Sequence, residues 1–273
     1  MSSLRKQVLV LPAFLLLISL LIAPLSLTIV NSFSSENGLT LENYVNFFTE
    51  KIYITSIINT LRIGFLSTAI IVPLGTLIVL AVRENRRLKN FMKVLTTIPA
   101  VFPSYVFAIA LIYMYGSAGI LNQLSLSWFN LELPTVGILY SWEGIIFANI
   151  MFYMPFFIAP VFARLETLDP SLEEAARSLG SHGFHLIRRI VLPALTPGIL
   201  AGALLTLLLT LNEFGVVLFL GWGKTYTLTF ALYSEMEYFQ LGMASAIAVI
   251  ILLLSASVTI GYRRATRFLE FGS

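Results

Sequence analysis

The chain contains no cysteine, and only 11% of its 273 residues are charged. The first absence excludes disulfides, thiol catalysis and zinc sites built on thiolates. The second excludes an ordinary soluble domain, in which about a quarter of the residues carry charge. No acidic or basic tail points to nucleic acid as a partner. A nucleotide loop of the G-x-x-x-x-G-K-[ST] type is also missing, so neither ATP hydrolysis by this chain nor a bound cofactor is predicted.

Apolar residues, in contrast, make up 58% of the sequence. They form six runs, each long enough to cross about 30 Å of hydrocarbon as a helix. The first run is too long for the apolar part of a signal peptide, so it is interpreted as a retained span. We therefore expect an all-α, multi-pass inner-membrane protein with six transmembrane helices. These are predicted at 8–31, 56–82, 94–116, 140–163, 194–220 and 240–262.

Lysine and arginine are distributed unevenly among the segments that flank the spans. Alternate flanks must lie on opposite sides of the membrane. Of the 17 basic residues, all but Lys51, Arg62 and Lys224 lie at the two termini or on the flanks inside 83–93 and 164–193. Because cytoplasmic loops carry the excess of Lys and Arg, both termini and the segment 164–193 are expected in the cytoplasm. No linker or internal repeat interrupts the pattern. The sequence thus predicts one membrane domain over 1–273, with 164–193 as a cytoplasmic segment between spans four and five.

The cytoplasmic segment carries the start and stop signals of a short helix. Asp169 is a suitable N-cap before Pro170, although Ser171 with Glu174 as its capping-box partner is an alternative. Gly180 is suited to the left-handed residue that follows a helix. Four apolar residues at helical spacing form a stripe, and the two in its middle have small side chains. Another backbone can approach closely there, so a docking helix is predicted. The stripe consists of Leu172, Ala175, Ala176 and Leu179. A second amphipathic piece follows, with Phe184, Ile187, Ile190 and Val191 on one side and Pro193 at its end.

The run from Glu174-Ala-Ala through Gly180 to Ile190-Val-Leu-Pro193 is similar to the EAA motif of binding-protein-dependent ABC importer permeases. The resemblance extends to the six-span layout and to two further runs, Gly119–Asn122 and Asn212–Gly215. It implies the fold of a type I, maltose-permease-like subunit. It also implies that the motif couples the permease to an ATPase. The residues implicated are Glu174, Ala175, Ala176, Gly180, Ile190, Leu192 and Pro193.

The same resemblance implies the partners. A second permease subunit, identical or homologous, completes the pathway, and an ABC ATPase dimer in the cytoplasm receives the coupling helix. An extracytoplasmic solute-binding protein delivers the solute, while the spans themselves contact membrane lipid. ATP hydrolysis is therefore expected on a separate chain, and the permease itself is not expected to be an enzyme.

Polar residues inside spans are candidates for the pathway. Glu213, with Asn212 beside it, is interpreted as lining the pathway, or as a structural partner or a headgroup-level residue. Arg62 with Asn59 is placed near the outer end of the second span, where Arg62 snorkels, pairs with Glu213 or binds an anion. Gly198 and Gly202 repeat at a spacing of four along the fifth span. That face either packs against another helix or borders the pathway.

The motif variant Ser178-Leu179-Gly180 resembles permeases for small charged solutes rather than for sugars. A phosphonate or another oxyanion is the favoured solute, and a polyamine or ferric ion is the alternative. A secondary transporter is the competing class. It predicts internal repeats and several carboxylates near the midplane, and the sequence has neither.

Overall fold

The computed structural model describes residues 2–35, 38–131, 138–221 and 223–270. The longer helices, in chain order, are α1 (Ser2–Ser32), α2 (Glu42–Thr49), α3 (Lys51–Val82), α4 (Arg86–Thr97), α5 (Ser104–Tyr115), α6 (Ile120–Phe129), α7 (Trp142–Glu166), α8 (Pro170–Ser178), α9 (Gly183–Leu186), α10 (Leu192–Leu211), α11 (Gly215–Leu220), α12 (Leu228–Glu237) and α13 (Leu241–Glu270). A 3-10 turn covers Ile98–Ala100, and a π-helical turn, Ile187–Val191, leads into α10.

Six membrane-spanning segments were predicted, and six are found among the described residues. Each is a helical segment of sufficient length and apolar composition to cross a bilayer. They are Leu15–Ser32, Lys51–Val82, Ser104–Phe129, Trp142–Glu166, Gly183–Leu211 and Leu241–Arg264. The all-α, six-span class is therefore confirmed.

The chain divides into two compact units. The first comprises Met1–Ser56 with Leu228–Leu254, and the second comprises Ile57–Thr227 with Ser255–Ser273. In the first unit, strands β1 (Ser34–Ser35) and β2 (Gly38–Leu39) pair antiparallel, and the Tyr53 hydroxyl donates to Glu235 Oε1 at 2.9 Å. That a single domain spans 1–273 stays a prediction.

The third span begins later than predicted. Its apolar run was placed at 94–116, but residues up to Thr97 belong to α4, an amphipathic helix capped by the Asn85 side chain. The transmembrane part starts at Ser104, because Pro99 and Pro103 interrupt helical hydrogen bonding between the two helices. Hydropathy alone merges the end of a surface helix with the span that follows it.

The fifth span is not the continuous helix predicted over 194–220. Helix α10 ends at Leu211, α11 begins at Gly215, and the residues between them leave the helical path. Upstream, the π-helical turn adds a residue to one turn and shifts the phase of the face that follows. The predicted apolar side is wrong at Phe184, which lies before this turn and is 75% exposed, while Leu186 and Val191 are buried.

The core of the second unit is formed where α7 packs on α10. The small-residue face of α10 permits close approach: a side-chain carbon at Gly202 would lie 2.7 Å from the Phe157 carbonyl oxygen. Phe157, Val161 and Leu195 are fully buried in the surrounding apolar cluster. Of the two interpretations left open for this glycine face, helix packing is the one observed.

Candidate functional site

The start of α8 is fixed by Asp169. Its Oδ1 accepts from the Ser171 backbone N–H at 2.9 Å, which satisfies an otherwise unpaired donor of the first turn. This hydrogen bond, with a smaller contribution from the Ser171 side chain, holds the pKa of Asp169 below its usual value. Asp169 is therefore the cap, and the alternative with Ser171 as cap and Glu174 as its partner is wrong. Glu174 is exposed and borders a cleft of about 460 Å³ between α8 and the end of α3.

The end of α8 is a left-handed turn at Gly180. The Ser181 N–H donates to the Ala176 carbonyl at 2.9 Å, and the Gly180 N–H donates to the Arg177 carbonyl at 3.0 Å. This pair of bonds is the Schellman arrangement. Gly180 has φ +84°, in the region that favours glycine, and nothing lies within 4 Å of where a β-carbon would stand. The predicted position of Gly180 just past the helix end is confirmed.

The docking stripe predicted for α8 is partly buried in the protein and partly exposed. Ala176 is buried in the core of the second unit, whereas Ala175 is exposed. Leu179 is 89% exposed and Leu172 is half exposed. Together with Phe184, they leave large apolar side chains at the tip of the segment, and we call Leu172, Leu179 and Phe184 the apolar tip. Large apolar side chains exposed on a charged segment are candidates for contact with another protein.

The remaining motif residues connect α8 to the fifth span. Ile190 lies in the π-helical turn and is half-buried, Leu192 is half-buried at the start of α10, and Pro193 is exposed. At the same level, Arg164 Nε donates to the Ala194 carbonyl at 3.0 Å, joining the end of α7 to the start of α10. The motif thus ends where the fourth and fifth spans are fastened together.

The two pathway candidates in the fifth span lie at its break but differ in environment. Glu213 is only 4% exposed. Its Oε1 accepts from Ser104 Oγ at 2.8 Å and from the Val216 N–H at 2.7 Å, while its Oε2 accepts from the Tyr153 hydroxyl. The carboxylate therefore connects the third, fourth and fifth spans and caps α11. In this structure it is a structural partner and presents no open surface to a solute.

Asn212, in contrast, is exposed. Its Nδ2 donates to the Leu208 carbonyl at 2.8 Å and to Ser255 Oγ at 3.2 Å. The other two candidates lie on α3. Arg62 is exposed, with its guanidinium carbon 3.5 Å from the centre of the Trp142 ring, and Asn59 Nδ2 donates to the Tyr226 carbonyl at 2.8 Å. The contact of Arg62 is thus a cation–π interaction.

Sequence reasoning did not identify Ser104 and Tyr153 as partners of Glu213, because single polar residues in a span carry no spacing signal. Several other polar side chains lie in the helix core. Ser67 Oγ, both amide atoms of Asn149, and Thr206 Oγ1 are buried without a hydrogen-bond partner among the described residues. Asn149 lies one turn before Tyr153 on α7.

The geometry agrees with what comparison with known proteins shows. The family model described as binding-protein-dependent transport system inner membrane component matches residues 71–270. The chain therefore belongs to this family of ABC transport permeases.

Individual relatives and one solved structure are similar to this chain over nearly its whole length. A protein of Salmonella typhimurium, provisionally named the 2-aminoethylphosphonate transport system permease protein PhnU, is 36% identical over 96% of this chain and 93% of its own length. The spermidine/putrescine permease PotB of Haemophilus influenzae is 28% identical over 93% of this chain and 91% of its own length. A permease chain of a bacterial alginate ABC transporter has the same fold, with a TM-score of 0.82, 19% identity, and coverage of 96% of this chain and 95% of that one. The chain is thus an ABC importer permease for small solutes.

Proposed function

We propose that this chain forms half of the translocation pathway of an ATP-driven importer for a small charged solute, coupled to a cytoplasmic ATPase through α8. The observation that carries the proposal is the apolar tip. Leu179, the residue that ends α8, is 89% exposed, and Phe184 on the following α9 is 75% exposed. Both ends of α8 are fixed by hydrogen bonds, from the Asp169 side chain at its start and from the left-handed turn at its end. A rigid helix that presents large apolar side chains fits a groove in another protein.

ATP binding then changes the permease by moving this helix. In our proposal, each ATPase subunit of the dimer holds one coupling helix, and closure of the dimer moves the two helices together. The permease has two rigid-body arrangements, open to opposite sides of the membrane. The contact between the ATPase and α8 shifts the equilibrium between them. The ATPase biases them only to the extent that it binds one arrangement better than the other.

The assembly around the chain follows from this role. A second permease subunit, identical or homologous, supplies the other half of the pathway, and an extracytoplasmic binding protein delivers the solute. Both termini and the segment 164–193 lie in the cytoplasm, supported by the Lys and Arg excess on those flanks. The whole chain, 1–273, acts as one permease domain in the inner membrane.

The break in the fifth span is the proposed solute-contacting region. Non-helical backbone inside an apolar span is tolerated only where protein buries it or where it lines an aqueous cavity. Asn212 is exposed at this break and is the proposed lining residue. Glu213 is buried and stabilises the break through its hydrogen bonds to Ser104 and to the Val216 N–H. Arg62 and Asn59, on the outer part of α3, are proposed to lie along the approach to it.

The proposed solute is a phosphonate. The first choice is 2-aminoethylphosphonate, because the relative named for its transport is 36% identical to this chain, whereas the spermidine/putrescine permease is 28% identical. A polyamine or ferric ion is the alternative, favoured by the likeness to a spermidine/putrescine permease. In a calorimetric panel on the binding protein that serves this permease, 2-aminoethylphosphonate is expected to bind, and sulfate, molybdate, spermidine and ferric ion are not. Binding of spermidine or ferric ion in its place would contradict the choice of solute and leave the coupling proposal intact.

Gly180→Val is expected to reduce uptake at least about tenfold, since a left-handed φ costs a side chain roughly 1–2 kcal/mol and a β-branched residue more. The position has open space around it, so the effect comes from backbone conformation and not from a clash. Helix α8 then ends differently and the apolar tip moves. Gly180→Asn is the matched control, because asparagine tolerates this conformation, and it is expected to retain most uptake. Equal uptake by the two variants would show that the turn geometry is unimportant.

A further inference from the structure

Arg83 is a nearly buried arginine at the cytoplasmic end of the second span. It directly follows α3, and its side chain is only 7% exposed. Nη1 donates to Glu173 Oε1 at 2.8 Å, and Nη2 donates to Glu84 Oε1 at 2.8 Å. One of its two carboxylate partners, Glu173, belongs to the first turn of α8. The guanidinium therefore connects the end of the second span to α8.

The position of α8 depends on such contacts. A helix of nine residues is marginal by itself, so tertiary interactions must hold it. Its attachment toward α3 includes the Arg83–Glu173 ion pair, a longer contact between Arg177 and Glu84, and Ala176, which lies in the same buried cluster as Val79. The Arg83 side chain is 7% exposed and that of Glu173 is 29% exposed, so this ion pair is better shielded from water than a surface pair and is harder to separate.

We propose that Arg83 and Glu173 are a positioning pair that transmits displacement of α8 to the second span. The chain itself joins α8 to the fourth and fifth spans, through 167–169 and 179–192, but only a noncovalent link joins it to α3. With the ion pair intact, α3 moves together with α8. This inference rests on the proposed function of α8 and adds the residues that carry its motion to a third span.

Arg177 provides an internal comparison. It belongs to the same network, with Nη2 3.4 Å from Glu84 Oε1 and 3.6 Å from Glu173 Oε2. However, its side chain is 49% exposed and its distances are longer, so its contribution is that of a surface pair. If charge on the network were sufficient for coupling, loss of Arg177 would matter as much as loss of Arg83.

The test uses the importer assembled with its ATPase in proteoliposomes, with Arg83→Gln and Glu173→Gln made singly and together, and Arg177→Gln as the control. Each single variant is expected to retain the bound ATPase and its hydrolysis but to lose uptake of 2-aminoethylphosphonate about tenfold, a modest shift of a two-state equilibrium. The double variant is expected to be no worse than either single one, because both remove the same contact. Normal uptake in Glu173→Gln, or losses that multiply in the double variant, would overturn the proposal.

A covalent link separates a positional role from a general effect of charge. The natural chain has no cysteine, so Arg83→Cys with Glu173→Cys places the only two thiols at the pair. A short bis-methanethiosulfonate linker is expected to restore uptake, and reduction is expected to abolish it again; no recovery after complete linking would contradict the proposal. If Leu179→Asp leaves the ATPase bound, the proposed function itself fails. If Leu179→Asp releases the ATPase while Arg83→Gln imports normally, only the positioning pair fails.

Discussion

Leu179→Asp is expected to release the ATPase and to abolish uptake. The side chain is 89% exposed in the free chain, so the substitution costs the fold little. In the docked state, the new carboxylate would be buried against another protein without a partner. Truncation or charge at such a central anchor typically costs at least about 2 kcal/mol, or roughly 30-fold in affinity, and an unpaired buried charge costs more. The measurement is the amount of ATPase that copurifies with the tagged permease, with uptake followed in parallel.

The matched control is Leu39→Asp. Leu39 is 80% exposed and lies between the first and second spans, on the flank opposite to α8 in the proposed topology. This variant is expected to retain the ATPase at the level of the natural chain. Retention of the ATPase by Leu179→Asp as well would show that the apolar tip does not dock.

Glu213→Ala is expected to give the largest loss of stability. The change leaves the Ser104 hydroxyl, the Tyr153 hydroxyl and the Val216 N–H without their carboxylate acceptor inside the helix core. Each buried donor left without an acceptor costs about 1–3 kcal/mol, so the three together cost at least about 3 kcal/mol. For a protein of this size that corresponds to a fall in Tm of roughly 10 °C, measured as loss of the monodisperse species on heating in detergent.

Two milder variants indicate whether the network itself is responsible. Glu213→Gln keeps an acceptor oxygen for Ser104 and Val216, and Tyr153→Phe removes a single donor. Each is expected to cost about 1–3 kcal/mol, less than the alanine variant. A Tm for Glu213→Ala equal to that of the natural chain would contradict the structural role assigned to this carboxylate.

The parts of the molecule that the sequence predicted correctly depend on local information. Six apolar runs give six spans because hydropathy and length are properties of each segment alone. The position of Gly180 was equally predictable, since the bonds that end α8 join residues at most five positions apart. Asp169, the residue before Pro170, was one of the two caps considered for the same reason.

What the sequence did not predict depends on contacts between distant residues. Glu213 was interpreted chiefly as a pathway residue, but its partners Tyr153 and Ser104 are 60 and 109 positions away. Arg83 was counted only as one of the cytoplasmic basic residues, and its partner Glu173 is 90 positions away. The break after Leu211 was not predicted for the same reason. The Glu213 carboxylate at this break is held by Ser104 and Tyr153, which belong to other spans.

The most direct test of the account is a cross-link from the apolar tip. In the cysteine-free chain, Leu179→Cys gives a unique, exposed thiol that carries a maleimide-benzophenone probe, and Leu39→Cys serves as its counterpart. The importer is assembled with its ATPase and illuminated, and adducts are identified by mass spectrometry. Docking through α8 predicts an adduct between position 179 and the ATPase subunit and none from position 39. An ATPase that copurifies but forms no adduct from position 179, or forms one from position 39, would contradict docking through α8.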